Sequence, residues 1–251
     1  DNVAFFKGFG AFAEKIVLSE ALAFSIPDNF PHPVAAGVFM VYGTSYHALV
    51  QRAKITKDDE VLVLGASGGV GLAAVDIAKS FGARVVVAVS TKEKADVCKR
   101  YGVDDVVVYG KEKLDQEGQK IFTKELKSKS TCGGFSIIYD PIGDCFAEPA
   151  LRSIGWGGTY LVVGFAAGKI PSFPTNLMLL KGCAVSGVFI GRFQQEEPKQ
   201  SAQNIKEIGD LLSSGKLTPF ISETIPMAKS IDAIERIAKR GVVGKVVFVN
   251  N

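Results

Sequence analysis

Six short apolar runs, separated by segments with helical spacing, dominate the chain between residues 60 and 190. Val61–Leu64 and Arg84–Val89 are almost continuously apolar, which is typical of strands buried on both faces of a parallel sheet. The same pattern predicts four further strands, at residues 106–109, 135–139, 159–163 and 184–189. Parallel neighbours need crossover connections, so this alternation predicts an α/β fold with a doubly wound, six-stranded parallel sheet.

The two ends of the chain lack this alternation of apolar strands and helices. Residues 1–35 contain extended segments that are closed off by prolines, and residues 222–251 predict an extended stretch, a helix and a final strand. Neither end carries a core of its own. We therefore expect residues 36–221 to form one domain, and residues 1–35 and 222–251 to be remnants of a second domain whose main body is absent.

Composition and charge argue against nucleic acid and membranes as partners. The 29 basic and 26 acidic side chains leave a net charge of +3, which is too balanced for a surface that binds polyanions. No apolar stretch reaches the roughly 18 residues that a membrane span needs. The four cysteines are far apart and the chain has two histidines, so we expect free thiols in a reducing compartment and no metal site.

The start of the chain bears on its location. Residues 1–6 lack an initiator methionine and are typical of the middle of a strand. We expect the chain to begin within a longer protein, so that a targeting segment would not be visible. We predict a cytoplasmic location and leave a mitochondrial one open.

A glycine-rich turn follows the first predicted strand. Residues 65–71 read GASGGVG and lie between that strand and a helix predicted over 70–81. Glycine allows a tight reversal, a close approach of the backbone to a pyrophosphate, and close packing of helix on strand. The amides that open the helix favour an anion. Although Ala66 replaces the first glycine of the GxGxxG pattern, this context predicts a dinucleotide site on a Rossmann fold.

The end of the second predicted strand indicates which dinucleotide binds. An acidic side chain there would bind the adenosine ribose hydroxyls of NAD. The chain instead has Ser90 and Thr91, which leave room for a 2′-phosphate, followed by Lys92 and Lys94, which can pair with it. Glu93 is the exception, and we expect its side chain to point away along the helix. The pattern predicts NADPH, while a hydroxyl N-cap followed by a solvated charged turn explains the same residues without a phosphate.

Three segments resemble a known family. Residues 66–75 (ASGGVGLAAV), 42–49 (YGTSYHAL) and 244–247 (GKVV) resemble the zinc-independent quinone oxidoreductases, the zeta-crystallin-like branch of the medium-chain dehydrogenase/reductase superfamily. The likeness covers essentially the whole chain. That family has roughly ninety residues ahead of this point. The resemblance therefore implies that both ends are remnants of a GroES-like catalytic domain.

The resemblance also implies a set of cofactor contacts around the sheet. The implied contacts are Thr44 beside the nicotinamide; Ser67, Gly68, Gly69 and Val70 at the pyrophosphate; Ser90 and Lys94 at the 2′-phosphate; Arg240 at a further phosphate contact; Tyr109 near the adenosine; Gly143 after the fourth strand; Val163, Gly164, Phe165 and Ala166 under the nicotinamide ribose; and Val188, Phe189 and Ile190 at the carboxamide. For the apolar members, burial in the core explains the residue type as well, and Tyr109 also fits a strand-end aromatic. The family's candidate active-site tyrosine lies in the absent segment, so the catalytic residues are unassigned.

The interpretation that we favour is an NADPH-dependent oxidoreductase that transfers hydride to a quinone or an activated alkene without zinc. An alkenal or enoyl double-bond reductase of the same superfamily is the nearest alternative. A catalytically silent NADPH-binding module, serving as a redox sensor or an RNA-associated or structural protein, is an alternative from another class. The identity of the small-molecule substrate is not readable, because half of its pocket would lie in the absent domain.

The last predicted strand of the sheet suggests self-association. Residues 184–190 are apolar, carry no proline or lysine, and would form an edge of the doubly wound sheet. An exposed edge of this kind invites pairing with another chain. The resemblance implies pairing with a two-fold mate, so we expect an isologous homodimer through residues 184–190. The alternative is that residues 194–201 fold back over the edge.

Overall fold

A computed structural model describes residues 1–28, 30–239 and 241–250. Its strands are β1 (Val3–Phe5), β2 (Ala23–Ser25), β3 (Glu60–Leu64), β4 (Arg84–Val89), β5 (Asp105–Val108), β6 (Phe135–Asp140), β7 (Ile154–Val162), β8 (Ala184–Gly187), β9 (Ile221–Pro226) and β10 (Lys245–Val249). Its α-helices are α1 (His32–Tyr46), α2 (Gly69–Ser80), α3 (Lys92–Lys99), α4 (Gln116–Lys129), α5 (Ala147–Arg152), α6 (Thr175–Lys181), α7 (Ile190–Glu196), α8 (Pro198–Ser213) and α9 (Ser230–Ala238).

The central sheet has the strand order β5-β4-β3-β6-β7-β8, and all neighbouring strands are parallel. The chain winds outward from β3 to β5 and then crosses to β6, which pairs with the other side of β3. This reversal between β3 and β6 is a topological switch point, where α/β sheets bind ligands beyond the carboxyl ends of the strands. The predicted doubly wound, six-stranded fold is confirmed.

Burial of the central strands on both faces explains why they are continuously apolar. Val61 and Val63 of β3 face a core that also contains α1 and α2, whereas Leu62 and Leu64 face a core shared with α4 and α5. All four side chains are fully buried. Successive side chains of a strand point to opposite faces, so a strand covered on both sides must be apolar at every position.

The two ends of the chain form small sheets of their own. β1 pairs antiparallel with β2, and β9 pairs parallel with β10. Helix α1 packs closely against the second of these sheets. At Gly37 a Cβ would lie only 2.6 Å from Cδ1 of Ile221, so glycine permits this approach. Among the residues that the structure describes, no helix is both long enough and apolar enough to cross a bilayer.

Several boundaries differ from the predicted ones. The prediction that the edge strand runs to residue 189 was wrong, since β8 ends at Gly187 and Ile190 already begins α7. The register explains this: Val162, the last residue of β7, pairs with Gly187, and only one further hydrogen bond, from the Val188 amide to the Val162 carbonyl, continues the pairing. β7 begins earlier than the predicted residue 159, because the register shifts where it meets β6.

Candidate functional site

The glycine turn places the amino end of α2 directly above the carboxyl end of β3. Gly68 is the N-cap of α2, and its carbonyl accepts the hydrogen bond from the Leu72 amide at 2.8 Å. The amides of the residues between them belong to the first helical turn, which has no acceptors within the helix. These donors and the helix dipole favour an anion at this position.

The glycines of the turn have different structural roles. At Gly71 a Cβ would lie 2.6 Å from the Gly65 carbonyl oxygen and 2.7 Å from Cα of Ala66, so only glycine lets the helix pack on the turn. At Gly68 the nearest atom to a Cβ is the Gly65 oxygen at 3.5 Å, and the backbone is extended (φ −78°). The fold therefore tolerates a side chain at Gly68, but that side chain would fill the space above the turn.

Hydrogen bonds from other parts of the chain hold the turn in place. The Ser45 hydroxyl donates to the Val70 carbonyl at 2.9 Å and lies 2.8 Å from the buried Tyr139 hydroxyl. On the other side, the Gly244 amide donates to the Ser67 carbonyl at 2.8 Å. These contacts connect the turn to α1, to β6 and to the segment just before β10.

The head of α3 lies beyond the carboxyl end of β4. Thr91 is the N-cap, and its hydroxyl accepts a hydrogen bond from the Lys94 amide at 3.3 Å. Ser90 is partly exposed beside it. Glu93 is exposed, and hydrogen bonding to the Thr91 side chain and to its own backbone lowers the Glu93 pKa. The expectation that Glu93 points away along the helix stays a prediction.

The loop after β5 runs next to the head of α3. The Tyr109 amide donates to the Val89 carbonyl at 3.0 Å, which continues the β4–β5 pairing past the last residue of β5. The Tyr109 ring packs against Phe146 and Phe122, with centroids 4.6 and 5.7 Å away. Tyr109 therefore lies next to the head of α3, with its ring in an aromatic cluster.

Asp140, the last residue of β6, organises the next two loops. One carboxylate oxygen accepts the amides of Ile142 and Gly143 at 2.8 and 2.9 Å, and the other accepts the Tyr160 hydroxyl at 2.6 Å. Burial raises the pKa of Asp140 and the three hydrogen bonds oppose that effect. The Asp140 carbonyl in turn accepts the Val163 amide at 2.9 Å. Sequence analysis did not select Asp140, although an acidic residue that ends a buried apolar strand was the available signal.

The remaining predicted residues of this edge follow β7. They form one loop, made of Val163, Gly164, Phe165 and Ala166. This loop is hydrogen-bonded to the loop after β6, since the Ala166 amide donates to the Pro141 carbonyl at 3.1 Å. Gly143 packs against this loop, and a Cβ there would lie 3.1 Å from the Phe165 ring. The structure therefore brings the predicted residues of the two loops together.

The segment after β8 differs from its prediction. The Val188 amide donates to the Val162 carbonyl at 2.9 Å, and its side chain is buried in the core. Phe189 is exposed, and Ile190 starts α7. These three residues form a strand-to-helix turn at the carboxyl edge of the sheet, rather than the end of a strand.

Thr44 lies in the buried last turn of α1, where its hydroxyl donates to the Met40 carbonyl at 2.7 Å. One turn further on, the His47 ring stacks on Phe193 of α7 at a centroid distance of 3.8 Å, and burial lowers the His47 pKa. Arg240, the remaining predicted phosphate contact, lies outside the described residues.

The structure leaves the cysteines as free thiols, and burial raises the pKa of Cys98 to about 12. Within residues 1–28, 30–239 and 241–250, no group of three or more histidine, cysteine or acidic side chains could hold a metal ion.

Comparison with known proteins places the chain among dehydrogenases. The zinc-binding dehydrogenase family matches residues 69–207. The chain is 31% identical to quinone oxidoreductase-like protein 2 of Bos taurus over 250 residues, covering 99% of the chain and 69% of that protein. It is 28% identical to acryloyl-coenzyme A reductase of Sulfurisphaera tokodaii over 238 residues, covering 94% of the chain and 64% of that protein. The chain thus spans about two thirds of the length of the curated relatives that it matches.

A solved structure supports the same assignment. The fold is similar to that of a mycobacterial protein complexed with NADPH, with a TM-score of 0.82 and 25% sequence identity over 91% of this chain and 68% of the other. The family match covers more than half of the chain, and the bovine relative is matched over more than two thirds of its length. The chain belongs to the zinc-binding dehydrogenase family of medium-chain dehydrogenase/reductases, among relatives named quinone oxidoreductases.

Proposed function

We propose that the chain is the dinucleotide-binding part of an NADPH-dependent oxidoreductase that reduces a quinone or an activated alkene. The observation that carries this proposal is the open position above Gly68, beside the amides that start α2. A Cβ at Gly68 would fill this cradle without disturbing the fold, as expected where the backbone must approach a pyrophosphate. Ser67, Gly69 and Val70 would complete the pyrophosphate site.

The adenosine end would lie over the carboxyl ends of β4 and β5. Ser90 and Lys94 would bind the 2′-phosphate, and Tyr109 would lie near the adenosine. An anionic phosphate at this position can accept charge-assisted hydrogen bonds from a lysine, which are about twice as strong as neutral ones. These side chains are the basis for proposing NADPH rather than NADH.

The nicotinamide end would lie over β6, β7 and β8. Thr44, Gly143 and the segments 163–166 and 188–190 would position the ring and its ribose. The bound cofactor supplies the hydride, and the protein supplies binding, orientation and exclusion of water. We propose that the reaction uses no zinc, which measurement of metal content in the active protein tests directly.

Two substrate classes follow from the names of the relatives. The relatives named quinone oxidoreductase-like favour a quinone, and the relative named acryloyl-coenzyme A reductase favours an activated alkene. Both accept hydride at an electron-poor carbon or ring, so the proposed cofactor site serves either. The proton donor is unassigned, because no described residue is a candidate by its contacts.

The test is oxidation of NADPH, followed by its near-ultraviolet absorbance, with a quinone or an enone added. We expect absorbance to fall in proportion to the electron acceptor that is consumed. NADPH binding without turnover of either substrate class would instead support the silent module. Absence of NADPH binding in a folded protein would refute the proposal.

We also propose that the chain forms a homodimer through the β8 edge. Ala184 and Gly187 are exposed there, and α6, which ends just before β8, exposes Leu179 and Leu180. The expected alternative, that residues 194–201 cover the edge, has little support, because α7 packs on the α1 side through Phe193. Pairing of edges across a two-fold axis would cover these apolar side chains.

Sedimentation velocity of the Leu180→Glu variant tests the dimer. We expect the wild-type chain to sediment as a dimer and Leu180→Glu as a monomer, because the new charge would lie in the interface. Ile121→Glu is the matched control, since Ile121 is similarly exposed on α4, away from β8. A monomeric wild-type chain would refute the interface. Val188 is unsuitable as an interface probe because its side chain is buried.

The assignment of the chain ends and the location remain proposals. We propose that residues 1–35 and 222–251, with the sheets β1–β2 and β9–β10, are parts of a GroES-like domain, while residues 36–221 form the dinucleotide-binding domain. We propose a cytoplasmic location, supported by the free cysteines, since disulfides are rare in that reducing compartment. Cell fractionation with an antibody to the chain tests the location.

A further inference from the structure

Two hydroxyl groups lie side by side in the apolar core next to the glycine turn. Tyr139 of β6 pairs with Val63 of β3 and with Leu161 of β7, and it is fully buried. Ser45 of α1 is also fully buried, and its Oγ lies 2.8 Å from the Tyr139 hydroxyl. In the part of the chain that the structure describes, the Tyr139 hydroxyl has no other hydrogen-bond partner. An apolar pair would fill the same space, so packing alone does not explain these hydroxyls.

The direction of the hydrogen bonds follows from the groups that surround the pair. The Val70 carbonyl can only accept, so the Ser45 hydroxyl donates its single proton to that carbonyl at 2.9 Å. The Ser45 oxygen is then the acceptor for the Tyr139 hydroxyl. Burial raises the pKa of Tyr139, so the phenol keeps the proton that it donates. One directed chain of hydrogen bonds therefore runs from Tyr139 through Ser45 to Val70.

This chain of hydrogen bonds joins three elements that end at the proposed nicotinamide site. Ser45 directly follows Thr44 in α1, and Val70 lies in the first turn of α2. Tyr139 directly precedes Asp140, whose carboxylate organises the loop after β6. The proposed adenosine end is built on β4 and β5, which these hydrogen bonds do not reach. Their effect should therefore be confined to one half of the cofactor.

We propose that Tyr139 and Ser45 are positioning residues for the nicotinamide half of the cofactor, because they fix α1 and the loop after β6 to the glycine turn. This inference rests on the proposed cofactor site. A buried pair of hydroxyls adds little net stability over apolar groups of the same shape, but a hydrogen bond restricts distance and angle more than an apolar contact does. Hydride transfer needs such restriction, since a displacement of about 1 Å at the reacting groups can slow a reaction by about a hundredfold.

The test compares a ligand that contains the nicotinamide half with one that lacks it. Isothermal titration calorimetry of the full chain measures NADPH and 2′,5′-ADP for wild type, Tyr139→Phe and the double variant Ser45→Ala/Tyr139→Phe. The double variant is used because Ser45→Ala alone would leave the buried Tyr139 hydroxyl without an acceptor. We expect both variants to bind NADPH about three- to tenfold more weakly and to bind 2′,5′-ADP within about twofold of wild type.

The fluorescence of bound NADPH is a second measurement, because it comes from the reduced nicotinamide ring. At saturating NADPH, we expect the emission of the double variant to lie closer to that of free NADPH than the wild-type emission does, since its ring is less constrained. Thermal melts of the variants measure stability, which we expect to change little when both hydroxyls are replaced by apolar groups.

The matched control is the double variant Tyr46→Phe/Ser153→Ala. It removes the same kinds of hydroxyl from two other buried residues, where Tyr46 donates to Glu207 and Ser153 donates to the Ala150 carbonyl, both at 2.7 Å. We expect this control to bind both ligands like wild type. An equal loss of NADPH affinity in the control would overturn the inference.

Other outcomes would separate this inference from the proposed function. An equal loss for NADPH and 2′,5′-ADP, or unchanged NADPH affinity and emission, would overturn the inference while leaving the cofactor site intact. A Tyr139→Phe variant that failed to fold while the control folded would show that the hydroxyl serves the fold, and would overturn it as well. If the folded wild-type chain bound neither ligand, the proposed function itself would fail.

Discussion

The turn after β3 and the head of α3, two parts of the proposed dinucleotide site, are built in different ways. The turn is made of backbone, and Ser45 and Gly244 hold it by hydrogen bonds of 2.9 and 2.8 Å. The head of α3 is made of side chains, where Glu93 is exposed and Lys94 is partly exposed. The first surface is part of the packing of the fold, whereas the second can change without disturbing the core.

This difference separates affinity from selectivity. A pyrophosphate is common to both nicotinamide dinucleotides, so a site made from backbone amides serves either cofactor. The 2′-phosphate alone distinguishes them, and it would meet side chains whose substitution costs the fold little. Substitutions in the turn should therefore affect all dinucleotides, and substitutions at the head of α3 should affect their ratio.

Gly68→Val should have the largest effect on binding. Its side chain would fill the space above the turn, while the extended backbone and the 3.5 Å to the nearest atom leave the fold intact. We expect NADPH and NADH to weaken together by about a hundredfold or more, equivalent to about 2.7 kcal/mol or more. Calorimetry and a thermal melt measure both properties. Unchanged affinity in a folded variant would place the dinucleotide elsewhere.

Lys94→Ala should lower the affinity for NADPH and leave the affinity for NADH nearly unchanged. Loss of a charge-assisted hydrogen bond to the 2′-phosphate should weaken NADPH by about 1.5–3 kcal/mol, or roughly ten- to a hundredfold. NADH should bind nearly as before, since it lacks that phosphate. Lys120→Ala on α4 removes the same charge at a distant exposed site and serves as the control. Equal losses for both cofactors would contradict the assignment of Lys94.

Gly71→Ala should affect stability rather than chemistry. Its Cβ would lie 2.6 Å from the Gly65 carbonyl oxygen, and this backbone atom cannot move aside as a flexible side chain could. Overpacking of this kind costs about 1–3 kcal/mol, occasionally more. Urea denaturation measures the loss, and Gly209→Ala, inside α8 with open space around its Cβ, is the control. A Gly71→Ala variant as stable as wild type would show that helix and turn can separate without cost.

The fold was predictable because its signals are local and repeated. Continuous apolar runs such as Val85–Val89 fit only strands covered on both faces, and the structure buries them completely. Strand ends were less predictable, because the end of β8 depends on how far β7 extends beside it. That partner lies elsewhere in the sequence, so no local pattern could mark Gly187 as the last residue.

The candidate site also has a part that the sequence predicted and a part that it did not. The glycine turn was predictable, since its residues carry a steric requirement that the sequence shows directly. The role of Asp140 was not, because it depends on which partners its carboxylate finds in the folded chain: the Tyr160 hydroxyl and the amides of Ile142 and Gly143. A side chain with several possible partners takes the one that the folded chain offers, and sequence spacing does not rank them.

Thr91→Val should have the smallest effect, and it tests whether one hydroxyl holds the head of α3. Valine keeps the shape and β-branching of threonine, so the only loss is the hydroxyl that accepts the Lys94 amide. Loss of an N-cap costs about 1 kcal/mol, which lowers the Tm of a chain of this size by about 2–4 °C. Thr91→Ser keeps the hydroxyl and should melt like wild type. If Thr91→Val melted like wild type and like Thr91→Ser, the cap hydroxyl would contribute nothing to stability, and the head of α3 would be held by the rest of its helix and by the packing of α3 on β4.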